Sequence, residues 1–212
     1  MSEAGKTMSE LEFAALLVSR VCHDLVSPVG AVVNGLEVLE DERDATMRAD
    51  ALKLVVSSAE QATARLQFAR IAFGAAGSAG AELDLNEVGR TVRGQLNGGK
   101  IELDWQAASL NWPKDWAKLL MNAALLAADS LPRGGNLHVE TSADPAAPGF
   151  TVRATGQNAR FHEDSEKAAR GEPVHPFDGR SIQAYLTYKL ARALNAGLTL
   201  TARDGAVQLV AG

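Results

Sequence analysis

The sequence predicts an α+β protein with a helical N-terminal part and a mixed C-terminal part, and three observations support this prediction. Up to Phe73, apolar residues recur at alternating steps of three and four, which is the period of a buried helix face. A Gly-, Ala- and Ser-rich stretch from Gly74 to Glu82 then has the composition of a linker. Beyond it, strand-like and helix-like segments alternate, so we expect domains at residues 1–76 and 81–212.

The N-terminal part is predicted to be a hairpin of two long helices. The acidic turn from Glu40 to Thr46 separates them, and Asp44 is the expected N-cap of the second helix. A single hairpin would leave part of its apolar stripe in water, so we expect two chains to form a four-helix bundle in a homodimer. The stripe predicted to be buried comprises Leu11, Ala14, Val18, Val21, Leu25, Val29, Val32, Leu36 and Leu39, then Leu52, Val55, Ala59, Ala62, Leu66, Ala69 and Phe73.

The C-terminal elements follow from their periods and from the turn residues between them. Their alternation favours an α/β sandwich, in which helices cover a sheet. Gly197 is expected to stop the last helix before a terminal hairpin. Helices are predicted over 84–96, 115–131 and 181–195, and strands over 100–105, 136–141, 150–154, 198–202 and 206–210.

Composition excludes several classes of function. The chain of 212 residues has a net charge of -5 and a pI near 5.4, which argues against binding to a phosphate backbone. The single cysteine, Cys22, cannot form an intramolecular disulfide, and no apolar run approaches the ~20 residues of a membrane span. We therefore expect a cytoplasmic protein that binds neither nucleic acid nor a membrane.

His23 is the first candidate functional residue. It lies two positions from both Val21 and Leu25, which places its side chain about 160° from those stripe residues in helical projection. We expect the imidazole to be exposed on the solvent face. An isolated surface histidine is usually only a solvated side chain, so the surrounding residues decide its interpretation.

The six residues from His23 to Pro28, HDLVSP, resemble the H-box of histidine kinases, where the histidine takes a phosphoryl group and the next acidic residue assists it. The stretches RVCHDLVSPVGAVVNGLEVLED and RLQFARIAFGA, which begin at Arg20 and Arg65, resemble more closely an alphaproteobacterial family of histidine phosphotransferases. The resemblance covers nearly the whole chain. It implies a relay of phosphate between receiver domains and a C-terminal domain with the fold of a kinase ATP-binding domain that binds no ATP.

The resemblance assigns roles around the histidine. His23 would carry the phosphoryl group, and Asp24 would accept a hydrogen bond from Nδ1–H so that Nε2 attacks. Arg20 and Ser27 would stabilise the phosphoryl group, although Arg20 equally suits a solvated surface charge. Pro28 cannot donate to the carbonyl of Asp24, so a kink is expected after the histidine.

The resemblance also implies partners. A receiver domain would supply the aspartyl phosphate and Mg²⁺, so no cofactor or metal is expected on this chain. The partners it implies are the receiver of a CckA-like hybrid histidine kinase and CtrA-like and CpdR-like response regulators.

Three departures from the kinase pattern predict that nucleotide binding is lost. Leu126 occupies the second asparagine position of the N-box, and Ala154 stands where the G1 box has its aspartate. The G2 segment is reduced to DGRS at 178–181, too few glycines to cradle phosphates. Two alternatives stay open: an active ATP-dependent kinase with unusual boxes, and a non-catalytic dimeric adaptor for receivers.

A receiver is expected to dock on the surface next to His23. With the turn centred near Arg43, antiparallel helices place His23 about level with residue 63. Gly30 costs the helix ~1 kcal/mol relative to alanine, which the close approach of a partner would explain; a tolerated surface glycine is the alternative. The predicted receiver-binding residues are Val26, Gly30, Ala31, Asn34, Thr63 and Leu66, together with Ser27.

Overall fold

The computed structural model describes residues 8–74 and 81–212, in which a helical hairpin is followed by a domain of strands and helices. The α+β prediction is therefore confirmed. Most of the predicted linker falls on 75–80 and lies outside the described residues, as do residues 1–7.

Two helices form the hairpin: α1 spans Glu10–Asp41 and α2 spans Ala45–Ala72. Ser9 caps α1 through a capping box with Glu12. The predicted cap of α2 is confirmed, because the Asp44 carboxylate accepts hydrogen bonds from the backbone N–H groups of Thr46 and Met47 at 2.9 Å each. Helix α1 continues unbroken through Pro28, which is buried.

Within one chain the predicted apolar stripe is only partly buried, and its burial in a two-chain bundle stays a prediction. Leu11 is 80% exposed and Val18 is 62% exposed. A helical period shows which residues share a face, but not which part of a broad apolar face meets the neighbouring helix. The residues buried in the hairpin are Arg20, Pro28 and Gly35 on α1 and Ala51, Ser58, Phe68 and Ala72 on α2.

Helix α1 is long and apolar enough to cross a membrane, which corrects the expectation that no run approaches such a span. Within the described residues it is the one helix with this property, and the finding rests on length and composition alone. The same composition suits a helix with apolar side chains on two faces. One face of α1 packs on α2, and another carries Val18 and Val29 in solvent.

The C-terminal domain is built on a five-stranded sheet in the order β2-β4-β5-β7-β6. Strand β2 runs parallel to β4, and the other neighbours are antiparallel. Every predicted element is present, whereas β1, β3 and α5 were missed because three to seven residues are too few to show a period. The elements are β1 Glu82–Asp84, α3 Leu85–Leu96, β2 Ile101–Gln106, β3 Asn111–Pro113, α4 Lys114–Asp129, β4 Gly135–Thr141, β5 Phe150–Thr155, α5 Glu163–Ala169, α6 Gly179–Ala193, β6 Thr199–Arg203 and β7 Ala206–Ala211.

Helix α4 lies at the centre of this domain. Its residues from Ala117 to Ala128 are all buried, because α3, α6 and the sheet surround it. Alternate residues of the strands, such as Leu137 and Val152, are buried on the helix side of the sheet. The predicted layering of helices on a sheet is confirmed.

Side chains of α4 also hold the C-terminal end of the hairpin. Lys118 Nζ donates to the carbonyl of Gly74 at 2.8 Å, and Asn122 Nδ2 donates to that of Ala72 at 3.0 Å. The second bond satisfies one of the carbonyls that the end of a helix leaves unpaired. Near the N-terminal end of α1, the Phe13 ring meets Tyr185 of α6 edge-on at 6.0 Å. The domain is thereby fixed beside the helix that carries His23.

Candidate functional site

His23 projects from the middle of α1 into solvent. Its side chain is 87% exposed, which confirms the predicted orientation. The Nδ1 atom lies 3.5 Å from Asp24 Oδ1, a separation longer than a strong hydrogen bond. Catalytic hydrogen bonds are often long without substrate and shorten when a partner binds. The ring is therefore open to a partner and one small rotation away from the carboxylate.

Arg20 holds the other oxygen of that carboxylate. Its Nε donates to Asp24 Oδ2 at 2.9 Å, and its Nη2 lies 3.4 Å from Asp129 Oδ2 at the end of α4. Its Nη1 donates to the carbonyl of Gly179, the first residue of α6, at 3.2 Å. Arg20 is only 8% exposed, so the interpretation as a solvated charge is wrong. Stabilisation of a phosphoryl group by Arg20 stays a prediction that requires its guanidinium to leave these acceptors.

Burial and charge act in opposite directions at this cluster. Burial by itself lowers the pKa of Arg20, but the carboxylates of Asp129 and Asp24 outweigh it, and the pKa is raised. Burial raises the pKa of Asp129, and the positive charges of Arg20 and Arg180 counteract part of that rise. Arg20 is thus a permanently charged guanidinium shared between two carboxylates from different domains.

Sequence reasoning missed Arg65 of α2, which reaches the same site. Pro28 has no N–H to donate to the carbonyl of Asp24, and Arg65 Nη1 supplies the missing donor at 2.5 Å. The predicted register placed residue 63 level with His23, so the same argument could have identified Arg65 as a neighbour of the site. It could not have identified Asp129, which lies more than a hundred residues further along the chain. A cleft of about 270 Å³ opens here between hairpin and domain, and Arg20, Asp24, Arg65 and Asp129 contribute to its lining.

Comparison with known proteins identifies the family. Residues 85–206 match the histidine phosphotransferase C-terminal domain. The protein phosphotransferase ChpT of Brucella abortus (strain 2308) is 41% identical over 208 residues, which are 96% of each chain. This chain belongs to the histidine phosphotransferase family. A bacterial phosphotransferase of known structure agrees with it at a TM-score of 0.86 and 36% identity, over 98% of this chain and 99% of that one. A weaker similarity, with a TM-score of 0.48 and 12% identity, extends to the Acinetobacter baumannii histidine kinase AdeS over 89% of this chain and 95% of that one.

The α1 residues predicted to bind a receiver lie on the accessible surface of the phosphotransferase. Val26 is 70% exposed, and Ser27 and Asn34 are also exposed, while Ala31 is half-buried. A Cβ added to Gly30 would meet no atom within 4 Å. The protein itself therefore does not require glycine at this position.

The two predicted α2 residues of the receiver surface are differently placed. Thr63 is exposed and donates its hydroxyl proton to the carbonyl of Ala59 in its own helix at 2.9 Å. Leu66 is 55% exposed and follows Leu52 and Ala59 at intervals of seven residues, which places it on their apolar face. Leu66 was predicted both for the bundle stripe and for the receiver surface, and one side chain cannot be covered by both partners at once.

The segments predicted to correspond to the nucleotide boxes of a kinase are filled by the protein's own side chains. Asn122 is fully buried, and its side-chain oxygen Oδ1 accepts a hydrogen bond from Gln183 Nε2 at 3.1 Å. Leu126 and Ala154 are buried in the core, with 2% and 0% exposure. Over residues 8–74 and 81–212, no group of three His, Cys, Asp or Glu side chains is arranged to hold a metal.

Proposed function

We propose that this phosphotransferase is the histidine step of a multistep phosphorelay. His23 accepts a phosphoryl group from the aspartyl phosphate of one receiver domain and passes it to the aspartate of another. The observation that carries this proposal is the exposed imidazole of His23 with the carboxylate of Asp24 at 3.5 Å, in a chain of the histidine phosphotransferase family. An exposed, oriented imidazole is a competent nucleophile near neutral pH.

The transfer follows from the chemistry of the ring. Nε2 of neutral His23 attacks the phosphorus atom, the bond from phosphorus to the receiver's aspartate oxygen breaks, and that aspartate leaves as a carboxylate. No proton has to move, because Nδ1 keeps its hydrogen while positive charge develops on the ring. The carboxylate of Asp24 stabilises that charge at Nδ1–H. In the second transfer the same bonds form and break in reverse, on a different receiver.

The magnesium ion belongs to the partner in this proposal. A receiver that carries its own aspartyl phosphate also brings the Mg²⁺ that neutralises the phosphoryl oxygens during transfer. The partners we propose are the receiver of a CckA-like hybrid kinase and CtrA-like and CpdR-like regulators. A cytoplasmic location follows, because the exposed thiol of Cys22 suits a reducing compartment.

We propose that two chains pair through the exposed apolar face of the hairpin. Large apolar side chains there are about half exposed, among them Val29 at 49% and Leu52 at 54%. A globular protein rarely leaves many large apolar side chains on one hairpin in water, and a second hairpin would cover them. Val29 is six positions after His23, which places the two about 120° apart around α1. Pairing through Val29 therefore leaves His23 free.

We propose that the C-terminal domain binds no ATP. The positions that contact magnesium and adenine in a kinase are held here by Leu126 and Ala154, neither of which offers a polar atom from its side chain. The amide of Asn122 is occupied by Ala72 and Gln183. A ligand would have to break these buried hydrogen bonds before it could use the amide.

The deciding experiment incubates the protein with a phosphorylated receiver domain and Mg²⁺, and in parallel with ATP and Mg²⁺ alone. The expected result is an acid-labile, base-stable label in the first reaction only, lost in His23→Gln. Labelling by ATP alone would support the kinase alternative, and failure of transfer with every receiver would support the non-catalytic adaptor. A label that persists in His23→Gln would refute the assignment of the carrier residue.

A further inference from the structure

Four side chains form a continuous polar chain from the C-terminal domain to the exposed histidine. Asp129 Oδ2 faces the guanidinium of Arg20, whose Nε donates to Asp24 Oδ2 at 2.9 Å. The other carboxylate oxygen of Asp24, Oδ1, faces His23 Nδ1. The two ends of this chain lie in different domains, on α4 and on α1.

Each side chain restricts the next one. A carboxylate on a helix surface can rotate about its side-chain bonds, and the hydrogen bond from Arg20 to Oδ2 leaves Oδ1 directed towards the ring. Arg20 is itself held by Asp129 and by the carbonyl of Gly179. A planar guanidinium with donors on three nitrogens fits three fixed acceptors in a way that a lysine ammonium cannot. The supporting groups of a reactive side chain commonly set its orientation and tautomer in this manner.

We propose that Arg20 and Asp129 are positioning residues for phosphotransfer: through Asp24 they hold the His23 ring in the tautomer whose Nε2 can attack. This inference rests on the proposed function of His23. It gives the C-terminal domain a direct part in the reaction, since Asp129 is contributed by that domain. The domain would then prepare the nucleophile without contacting the phosphoryl group.

The first measurement is the tautomer of His23, observed through the nitrogen NMR signals of its ring in the free protein. A free histidine side chain favours hydrogen on Nε2, whereas an acceptor at Nδ1 favours hydrogen on Nδ1. The wild-type protein is expected to show His23 mainly as Nδ1–H. Asp24→Asn, Asp129→Asn and Arg20→Lys are each expected to shift the population towards Nε2–H.

All variants have to be measured at the same pH, because other charged side chains lie next to Asp129 and Asp24. Arg180 of α6 acts on the carboxylate of Asp129, and Arg65 of α2 binds the backbone of Asp24. The spectra are therefore compared at one mildly alkaline pH, at which an imidazole is neutral. Thermal unfolding of each variant confirms that the fold is retained.

The second measurement is the rate of transfer from a phosphorylated receiver. We expect Asp129→Asn and Arg20→Lys to slow it by about tenfold or more, because a reactive group held less precisely loses rate of this order. The control is Asp115→Asn, the same change on an exposed residue in the first turn of α4, which should alter neither tautomer nor rate.

Two outcomes would overturn the inference. One is an unchanged His23 tautomer in folded Asp129→Asn and Arg20→Lys. The other is a wild-type ring with the tautomer of free histidine. Both can be observed without a receiver, so they are distinct from failure of the proposed function, in which the wild-type protein accepts no phosphoryl group at all.

Discussion

Replacing Gly30 and Gly35 of α1 by alanine, one at a time, is expected to change stability in different ways. A Cβ at Gly30 meets no atom within 4 Å, so Gly30→Ala should gain the ~1 kcal/mol by which alanine exceeds glycine in a helix interior. A Cβ at Gly35 would lie 2.6 Å from Val55 Cγ2 and 3.3 Å from the carbonyl oxygen of Ala51. Separations this short force atoms to move.

The cost at Gly35 is set by how far α2 can yield. Val55 is β-branched and has one strongly preferred side-chain rotamer in a helix, so its methyl group cannot simply rotate away. Overpacking of this kind costs ~1–3 kcal/mol, which exceeds or cancels the ~1 kcal/mol gain in helix propensity. Gly35→Ala should therefore be less stable than Gly30→Ala by ~1–3 kcal/mol.

Urea unfolding of both variants at one protein concentration measures this difference, since the stability of an associating protein depends on its concentration. Equal free energies of unfolding for the two variants would refute the reasoning, because they would show that the helices separate at Gly35 without cost. The comparison also bears on docking. If Gly30→Ala is more stable than the wild type, glycine at that position is not explained by folding.

The remaining predictions concern docking, pairing and pH. Gly30→Tyr should stay folded and slow transfer from a phosphorylated receiver by tenfold or more, equivalent to ~1.4 kcal/mol, and wild-type kinetics would place the docking surface elsewhere. Leu52→Asp should yield a monomer in sedimentation, whereas Leu54→Asp, with a similar exposure of 46% but about 200° away around α2, should not. Glu140 and Asp104 raise the pKa of His138, so the stability from this pair is complete below about pH 6.5 and is lost as the pH rises through the raised pKa. Unfolding measured from pH 6 to 8 should show this loss in the wild type and not in His138→Gln.

Much of the fold could be predicted from the sequence because local signals fix it. The cap at Asp44 and the strand over 150–155 are set by a few neighbouring residues, and both lie where expected. The phase of the hairpin packing could not be predicted in the same way. It depends on which strip of a broad apolar face meets the other helix. Gly35 permits the close contact with Val55 and Gly30 makes no such contact, but the sequence alone does not distinguish these two glycines.

The candidate site also has a part that the local sequence predicts and a part that depends on distant residues. The exposure of His23 follows from its position relative to Val21 and Leu25, which are two residues away. The burial of Arg20 depends on Asp129 and Gly179, which only the folded domain brings to α1. A surface arginine and a buried one have the same local pattern, so no reading of α1 alone could distinguish them.

The contacts between the C-terminal domain and the hairpin explain physically why the domain lies in a fixed position. The side-chain amide of Asn122 joins the end of α2 to Gln183 of α6. Breaking such a buried hydrogen bond costs ~1–3 kcal/mol, so a domain tied to the hairpin at Asn122, Lys118 and Arg20 resists displacement. A domain that delivers ATP must move towards its histidine and away again. A domain that only supports the histidine, as we propose for this one, gains from staying in place, because Asp129 can then hold Arg20 against Asp24.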